Sequence, residues 1–328
     1  MRVTPQGDTL NSFIICDAYS VQTHPSVVFT GNNYIVVWAD NRSSVYHIAE
    51  TKITPQGGIP DTTVWLGSGI GDDEEDPDIA FDGNRCLVVW SKENLGVQAR
   101  FIDTLGQPVD TVFTIAPFTT TTYTSPSISF GLNNYLVVWY DRRPGGDDWD
   151  VYAQLISMQG SNIGEQLTVA TGVNSQYDAR VTFDGSNYFV VWREANYDIY
   201  GRWITGDGVL IGSPVRVSNS TAFYRYQPTL AASDINYLIA WSEYHAGQFD
   251  IYGNVDIPVG TNERCSTRRI QQKKYRLSTI IRNLPKGFDA KYNIYDISGR
   301  LVDPHTLSPG VYFAEVNDDE VRKIVIIR

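Results

Sequence analysis

Acidic side chains recur at one position of a repeating pattern in this chain. They lie two residues after a tryptophan that ends a strand-like run, at Asp40, Asp141, Glu194 and Glu243. Hydrolysis of a glycosidic bond needs two carboxyl groups about 5–10 Å apart, one of them protonated. Catalytic residues break the symmetry of a repeat, whereas these acids obey it. We therefore interpret them as turn caps or arginine partners that can also contact a ligand, and we predict no catalytic residue.

A second group of acids is close together in the sequence. Asp72, Asp73 and Asp76 belong to one acidic run, and another acidic pair precedes Asp150. Carboxylates at this density can supply oxygen ligands to Ca²⁺, although such a run more often forms a solvated loop. The four histidines lack the spacing of zinc ligands. We predict no required cofactor, with Asp72, Asp73 and Asp76 as the place where Ca²⁺ would bind.

One tryptophan outside the repeated positions is a candidate ligand contact. Trp149 follows a Gly-Gly-Asp-Asp segment, and aromatic side chains on loops of a rigid scaffold can stack on sugars. Sialidase-type boxes, a Gly-x-Ser-x-Gly elbow and a phosphate-binding loop are all missing from the sequence. These observations favour a binding protein over an enzyme.

The elements that position these residues repeat about every 50 residues. The tryptophans that end the runs fall 49 to 53 residues apart, at Trp38, Trp90, Trp139, Trp192 and Trp241. Each unit reads as four short strands, which in the fourth unit are residues 166–170, 180–183, 188–192 and 199–204. The strand before the tryptophan is apolar at consecutive positions, which indicates that both of its faces are covered. The preceding strand usually starts with proline, with Ala179 as the exception. The pattern predicts an all-β propeller of five four-stranded blades, with an open β-solenoid as the alternative.

The beginning of the chain bears on closure of the ring. Residues 2–7 repeat residues 52–57 almost residue for residue. The chain therefore starts inside the last strand of a unit. That strand either completes the final blade or belongs to a longer array, and we favour the closed ring because an unpaired edge invites aggregation.

Composition excludes several function classes. The 328 residues carry a net charge of −11. Residues 262–328 hold 13 basic and 8 acidic residues, a charge of +5, which leaves −16 for the propeller region. An acidic surface repels nucleic acid, and no run is long and apolar enough for a membrane span. We therefore predict that the protein neither binds nucleic acid nor spans a membrane. Three cysteines cannot all pair, and no signal peptide opens the chain.

After residue 260 the repeat stops. We assign residues 1–260 to the propeller, 261–274 to a polar linker and 275–328 to a small Ig-like β-sandwich. The tail contains the phrases YDISGRLV, LSPGVYF and RKIVIIR in that order, ending at Arg328. These phrases closely resemble the type A C-terminal sorting domain of type IX secretion. The matching positions are Asp296, Gly299, Arg300, Gly310, Tyr312, Lys323 and Arg328.

The resemblance implies export and display on the outer cell surface, with the type IX secretion machinery as a partner. The repeats resemble propeller arrays of secreted bacterial proteins, and this resemblance implies no particular activity. The sequence thus predicts a secreted, non-enzymatic binding module that recognises glycans or surface proteins. The alternatives are a glycoside hydrolase that uses carboxylates near the propeller axis, and a spacer array within a larger surface protein.

Overall fold

The computed structural model describes most of the chain, and the account below concerns those residues. They are 12–59, 63–67, 71–117, 124–143, 148–218, 224–233, 236–245, 247–258, 274–281, 293–296, 310–317 and 320–326. The chain divides into two compact units, one of Ile14–Asn262 and one of Met1–Phe13 with Glu263–Arg328. The described residues are all strands, turns and loops, and no helix among them is long and apolar enough to cross a bilayer.

The first unit is a five-bladed β-propeller, as predicted. Blade 1 consists of β1 (Gln22–Phe29), β2 (Tyr34–Asp40), β3 (His47–Ile53) and β4 (Val64–Trp65). Blade 2 consists of β5 (Glu74–Phe81), β6 (Cys86–Lys92), β7 (Gly96–Ile102) and β8 (Phe113–Ala116). Blade 3 consists of β9 (Ser127–Phe130), β10 (Asn134–Asp141), β11 (Asp150–Ser157) and β12 (Asn162–Ala170).

The last two blades follow the same antiparallel order. Blade 4 consists of β13 (Gln176–Phe183), β14 (Asn187–Glu194), β15 (Ile199–Thr205) and β16 (Leu210–Arg216). Blade 5 consists of β17 (Tyr224–Ala232), β18 (Asn236–His245) and β19 (Gln248–Pro258). The predicted unit began one strand early, because residues 166–170 belong to β12, the outer strand of blade 3. Periodicity fixes the length of a repeat but not the point at which each sheet begins.

Local turn chemistry explains why the first two strands of a blade pair. In blade 2 the Asp82 carboxylate accepts hydrogen bonds from the backbone N–H groups of Asn84 and Arg85, at 2.8 and 2.7 Å. Gly83 between them has φ of +94°, which glycine adopts without steric cost. Blade 4 repeats this turn at Asp184 and Gly185. The turn joins the second strand to the first strand of the blade, which we call the inner strand.

The core lies between successive blades. The apolar second strand of each blade has one equivalent buried position, at Val36, Val88, Val137, Val190 and Ile239. Each of these residues pairs with an apolar residue of the inner strand in the same register. Because sheets covered on both faces exclude water from such positions, their equivalence confirms that the blades repeat one architecture.

The second unit contributes one described sheet in the order β20, β23, β22, β21. Its strands are β20 (Lys274–Ile281), β21 (Asn293–Asp296), β22 (Gly310–Asn317) and β23 (Glu320–Ile326). Of the sorting-motif residues, Asp296, Gly310, Tyr312 and Lys323 lie in these strands. Gly299, Arg300 and Arg328 lie outside the described residues. The export role stays a prediction, which the secretion of a chain lacking residues 275–328 would test.

Candidate functional site

A cavity of about 600 Å³ runs along the centre of the propeller. All five inner strands line it. Their contributions include Ser26, Asp78, Ser127, Arg180 and Thr229. A cavity of this size on rigid strands has the dimensions of a small-molecule site, and about half of its lining residues are polar.

The inner strands bend at one end of this cavity. In β1, β5, β13 and β17 the pairing register shifts by one residue at the same point. The residues at the shift have positive φ, at His24 (51°), Asp76 (51°), Asp178 (57°) and Gln227 (51°). Such β-bulges redirect a side chain, and strained non-glycine residues cluster at functional sites. We call the central cavity the channel, and this end of it the channel mouth.

The mouth has a repeated backbone and varied side chains. The residue before the proline of each inner strand, or before Ala179 in blade 4, occupies this place. Blade by blade these residues are His24, Asp76, Ser125, Asp178 and Gln227. One histidine, two acids and two neutral groups thus replace one another around the axis. This is the break in repeat symmetry that a catalytic site requires.

Asp76 is the acid with the most perturbed surroundings in the mouth. Its Oδ1 lies 3.1 Å from Nδ1 of His24, and its side chain is largely buried. Burial raises the pKa of Asp76, and the negative charge of Asp178 adds to the rise, while His24 and Arg180 oppose it. A carboxyl group with a raised pKa retains its proton at higher pH, as a general acid must.

Asp178 is held as an ion pair. Arg193 donates from Nε to Oδ2 of Asp178 at 3.2 Å, and the backbone N–H of Gln227 approaches the same oxygen at 3.4 Å. The guanidinium of Arg193 lies over the ring of Tyr177, 4.6 Å from its centroid. An arginine fixed in this way holds the carboxylate in one orientation.

Aromatic side chains flank Asp178 and form what we call the aromatic wall. Trp149 lies 5.5 Å from Tyr140 and 6.1 Å from Tyr177 between ring centroids. Burial raises the pKa of Tyr140 to about 12, and the charges of Asp178 and Asp76 contribute. The wall therefore stands beside both acids. Arg193 also contacts the rings of Tyr197 and Tyr226, so the wall continues onto blade 5.

Backbone contacts hold Trp149 in place. Its N–H donates to Oγ of Ser175 at 3.2 Å, and its carbonyl accepts from the N–H of Gln176 at 2.7 Å. The side chain is half-buried. The predicted ligand contact at Trp149 thus lies beside the mouth, on a loop tied to the inner strand of blade 4.

Asp78 has a structural role in the channel. Its Oδ1 accepts a hydrogen bond from Oγ of Ser26 at 2.7 Å, and its Oδ2 accepts one from the N–H of Ile128 at 3.0 Å. Asp78 therefore ties blade 2 to blades 1 and 3. Both of its oxygens are in use, so we do not assign it to chemistry.

The acids that follow the repeat tryptophans lie on the second strands. Indole N–H groups donate to Asp40 from Trp38 and to Asp141 from Trp139, both at 3.0 Å. The partnership with arginine also exists, since Arg42 Nη2 lies 2.6 Å from Asp40. Burial opposes ionisation of Asp40, but Arg42 and Trp38 outweigh it and lower its pKa.

The acids differ in their electrostatic surroundings. Burial raises the pKa of Glu194 and of Asp141. Glu243 accepts from the indole of Trp241 at 3.1 Å. The cavity lining does not include Asp40, Asp141, Glu194 or Glu243. A ligand-binding role for all four stays a prediction, and Asp40, Asp141 and Glu243 are buried acceptors of indole hydrogen bonds.

Blade 2 has no acid two residues after its tryptophan and instead forms an ion pair with the charges reversed. Lys92 replaces the acid and lies 3.1 Å from Glu74, which faces it across the strand pair. In blade 5 the same two positions hold Arg225 and Glu243, 2.8 Å apart. Blades 2 and 5 thus have a buried charge pair at the same two positions with the signs exchanged, whereas blades 1 and 4 pair the acid with Gln22 and Gln176.

Two of the predicted calcium ligands, Asp73 and Asp76, contact different parts of the protein. Asp73 accepts a hydrogen bond from the N–H of Tyr46 at 2.8 Å, whereas Asp76 faces His24 in the mouth. Within the described part of the chain, no three His, Cys, Asp or Glu side chains are grouped as metal ligands. Calcium binding at Asp72, Asp73 and Asp76 stays a prediction.

Solved structures with a similar fold resemble this chain at low sequence identity. No protein-family model and no curated protein matches the sequence. A protein of unknown function from Dyadobacter fermentans DSM 18053 has a TM-score of 0.53 at 12% identity, over 71% of this chain and 78% of that chain. An α-L-arabinofuranosidase from Podospora anserina has a TM-score of 0.44 at 11% identity, over 71% and 89%. An endo-arabinase from Bacteroides thetaiotaomicron VPI-5482 has 0.44 at 11%, over 77% and 99%.

The prediction that the chain has no enzymatic activity is wrong. The finding that overturns it is the presence of glycosidases among the matched structures. The reason given for it considered only the acids that obey the repeat, and it assigned Asp76 to a calcium site. At identities of 11–12% the likeness concerns the fold, and no substrate is transferred from it.

Sequence reasoning recorded the prolines of the inner strands but not the residues before them. The signal was available, since the repeat aligns His24, Asp76, Ser125, Asp178 and Gln227 directly. Asp76 was assigned to a calcium cluster because it lies beside other acids in the sequence. The bulge separates it from that run and turns it toward the axis.

Proposed function

We propose that the propeller is a glycoside hydrolase whose reaction takes place at the channel mouth. The observation that supports this most strongly is the pair of acids with opposite environments. Asp76 is buried with a raised pKa, and Asp178 is ion-paired with Arg193. Two carboxyl groups whose surroundings separate their protonation states are the requirement for glycosidic cleavage.

The roles follow from these environments. Asp76 donates its proton to the leaving oxygen of the scissile bond. Asp178 is the carboxylate that either attacks the anomeric carbon or activates water against it. Arg193 is a positioning residue, since it orients Asp178 through Nε. The aromatic wall supplies flat apolar surfaces on which sugar rings stack.

A glycan substrate also agrees with the charge of the propeller. Its net charge of −16 disfavours polyanions, whereas neutral sugars meet no such repulsion. The test is release of reducing ends from a panel of neutral and acidic polysaccharides, arabinan among them. The proposal predicts release from at least one neutral glycan. Its absence across the panel, with a folded protein, would overturn the proposal.

The proton donor makes a prediction about pH. The rate constant kcat/KM should fall as pH rises through the pKa of Asp76, because the acid must be protonated. The imidazolium of His24 lowers that pKa. His24→Gln should therefore raise it and move the basic limb of the profile to higher pH. A pH profile of kcat/KM measures this, with His47→Gln as the control, since His47 faces Glu74 in a different place. A basic limb that stays in place, or moves to lower pH, would contradict the assignment.

The aromatic wall makes a second prediction. Trp149→Ala should raise KM for a hydrolysed polysaccharide about 2–10-fold, which is the value of one aromatic contact, and leave kcat nearly unchanged. Trp65→Ala is the matched control, because Trp65 is also partly exposed but lies on the outer strand of blade 1. Equal effects of both substitutions would show that the wall does not bind the sugar.

A further inference from the structure

Blade 5 differs from the other four in the number of its strands. Its described sheet ends at β19, whereas every other blade has a fourth strand outside the third. Among the described residues, the backbone of β19 therefore forms an edge of the sheet. Such an edge presents unpaired N–H and C=O groups that accept another strand.

The face of blade 5 beside this edge is apolar and exposed. Ile251 has 79% of its surface accessible. By register the same position in the other blades holds Ile48, Val97, Val151 and Ile199, all of them 0% exposed. Four identical burials and one exception indicate that blade 5 lacks a covering element that the others have.

Blade 1, which follows blade 5 around the axis, shows the complementary face. Tyr34 is 41% exposed, while the equivalent residues Cys86, Tyr135, Tyr188 and Tyr237 are all 0% exposed. Val27 is 58% exposed, against 6–7% for Ile79, Ile128 and Val181. Two apolar faces thus border a seam between the last and the first blade.

The sequence identifies a segment that fits the seam. In blades 1 to 4 the third strand ends in a turn with a glycine of positive φ, at Gly57, Gly106, Gly160 and Gly208. Nine residues later, in the fourth strand or directly after it, each blade has a buried apolar residue, at Leu66, Ile115, Val169 and Val217. The spacing is the same in all four blades.

Residues 14–16 obey this spacing. Residues 2–7 repeat the turn sequence of residues 52–57, and nine positions after Gly7 the chain has Cys16. Ile14 then corresponds to Val64, Phe113, Leu167 and Val215.

The structure places this segment beside the seam. Ile14 is 70% exposed and belongs to no strand. The side chain of Cys16 contacts blade 1, where Arg42 Nη2 approaches Sγ at 3.4 Å. An exposed apolar segment next to two exposed apolar faces gains stability by covering them.

We propose that residues 14–16 add to β19 as the fourth strand of blade 5 and thereby close the ring. The register follows from blades 2 and 3. There the residue eight positions after the turn glycine pairs with Gln98 and Tyr152, which correspond to Tyr252. The segment therefore places Ile15 opposite Tyr252. The partner of the edge is this chain's own N-terminal segment.

A cross-strand disulfide tests the register. In the full chain with Cys16→Ser and Cys265→Ser, the pair Ile15→Cys and Tyr252→Cys should form an intramolecular disulfide on mild oxidation and raise the Tm. The control pair Ile15→Cys and Phe249→Cys is three residues out of register and should remain reduced. Free thiols in the first pair, or equal bonding in both, would overturn the proposal. A disulfide-linked dimer would also overturn it, by showing that the edge pairs with a second copy.

Hydrogen exchange of the unmodified chain provides a readout that needs no variant. Closure predicts slow exchange for backbone amides around Ile251 and Tyr252, with protection comparable to β11 in blade 3. Exchange as fast as in an exposed loop would contradict closure. Neither experiment depends on hydrolysis, so the result is independent of the proposed function.

Discussion

Replacing Asp76 with Asn should lower kcat/KM for a hydrolysed polysaccharide by about 10²–10⁴-fold, the usual contribution of a general acid. The substitution removes the proton donor and keeps the shape of the side chain. Asp178→Asn should cause a loss of at least this size, since it removes the carboxylate that acts at the anomeric carbon. Reducing-end release under the same conditions measures both.

Activated substrates separate the two roles. A dinitrophenyl glycoside has a leaving group that needs no protonation, so Asp76→Asn should retain most of the activity toward it. Asp178→Asn should remain inactive, because its chemistry does not depend on the leaving group. The control is Asp141→Asn, which alters a buried acid bonded to Trp139 and away from the cavity lining. Normal cleavage by Asp76→Asn and Asp178→Asn, or a comparable loss in Asp141→Asn, would disprove the assignment.

The second large effect concerns stability. Arg225→Met should lower the free energy of unfolding by about 3–5 kcal/mol, because breaking a buried ion pair leaves its partner uncompensated. Arg225 is 1% exposed and contacts both Glu243, at 2.8 Å, and Asp198, at 2.9 Å. Denaturant unfolding measures the change, provided that the transition is two-state.

Arg216→Met is the matched control for this experiment. Arg216 contacts the same Asp198 at 2.7 Å, but one third of its side chain is exposed. Exposed ion pairs contribute about 0–1 kcal/mol. A loss at Arg216 equal to that at Arg225 would show that burial does not determine the value of these pairs.

The fold followed from the sequence because its signal is repeated. Runs such as residues 34–38 and 135–139 are apolar at consecutive positions, and each ends in a tryptophan that the structure buries in the same place. The turn at Gly83 and Gly185 is likewise visible as Asp-Gly. Five copies of one pattern average out local ambiguity, so the blade architecture was predicted. The boundary between blades was not predicted, because the hydrogen bonding that assigns a strand to one sheet or to the next has no local signature in the sequence.

The candidate site followed only in part. Trp149 was predicted as a ligand contact, and the structure places it in the aromatic wall. The mouth was missed as a site: Asp76 was assigned to a calcium cluster and Asp178 was not singled out, because the repeat aligns these positions but does not mark the bulge that brings them to the mouth. The pairing of His24 with Asp76, or of Asp178 with Arg193, joins residues of different strands or blades. Such contacts depend on the closed arrangement of inner strands, which a pattern of hydrophobic residues does not specify.

The repeat also separates structure from chemistry in this molecule. Positions that carry similar groups in each blade, such as Asp40 and Asp141, form buried hydrogen bonds to tryptophan. The position that varies from blade to blade lies where the inner strands bend, and its residues His24, Asp76 and Ser125 line the cavity. Architecture needs the same bond in every blade, whereas a reaction needs different groups around one point. The variable position of a repeat is therefore the place to look for its function.

The most direct test of the central claim is a crystal structure of Asp76→Asn with an oligosaccharide from the glycan that the unmodified protein cleaves. The account predicts a glycosidic oxygen within hydrogen-bond distance of residue 76, an anomeric carbon facing Asp178 and a sugar ring stacked on Trp149. A sugar bound away from the channel mouth, with Asp178 in contact with none of its atoms, would contradict it.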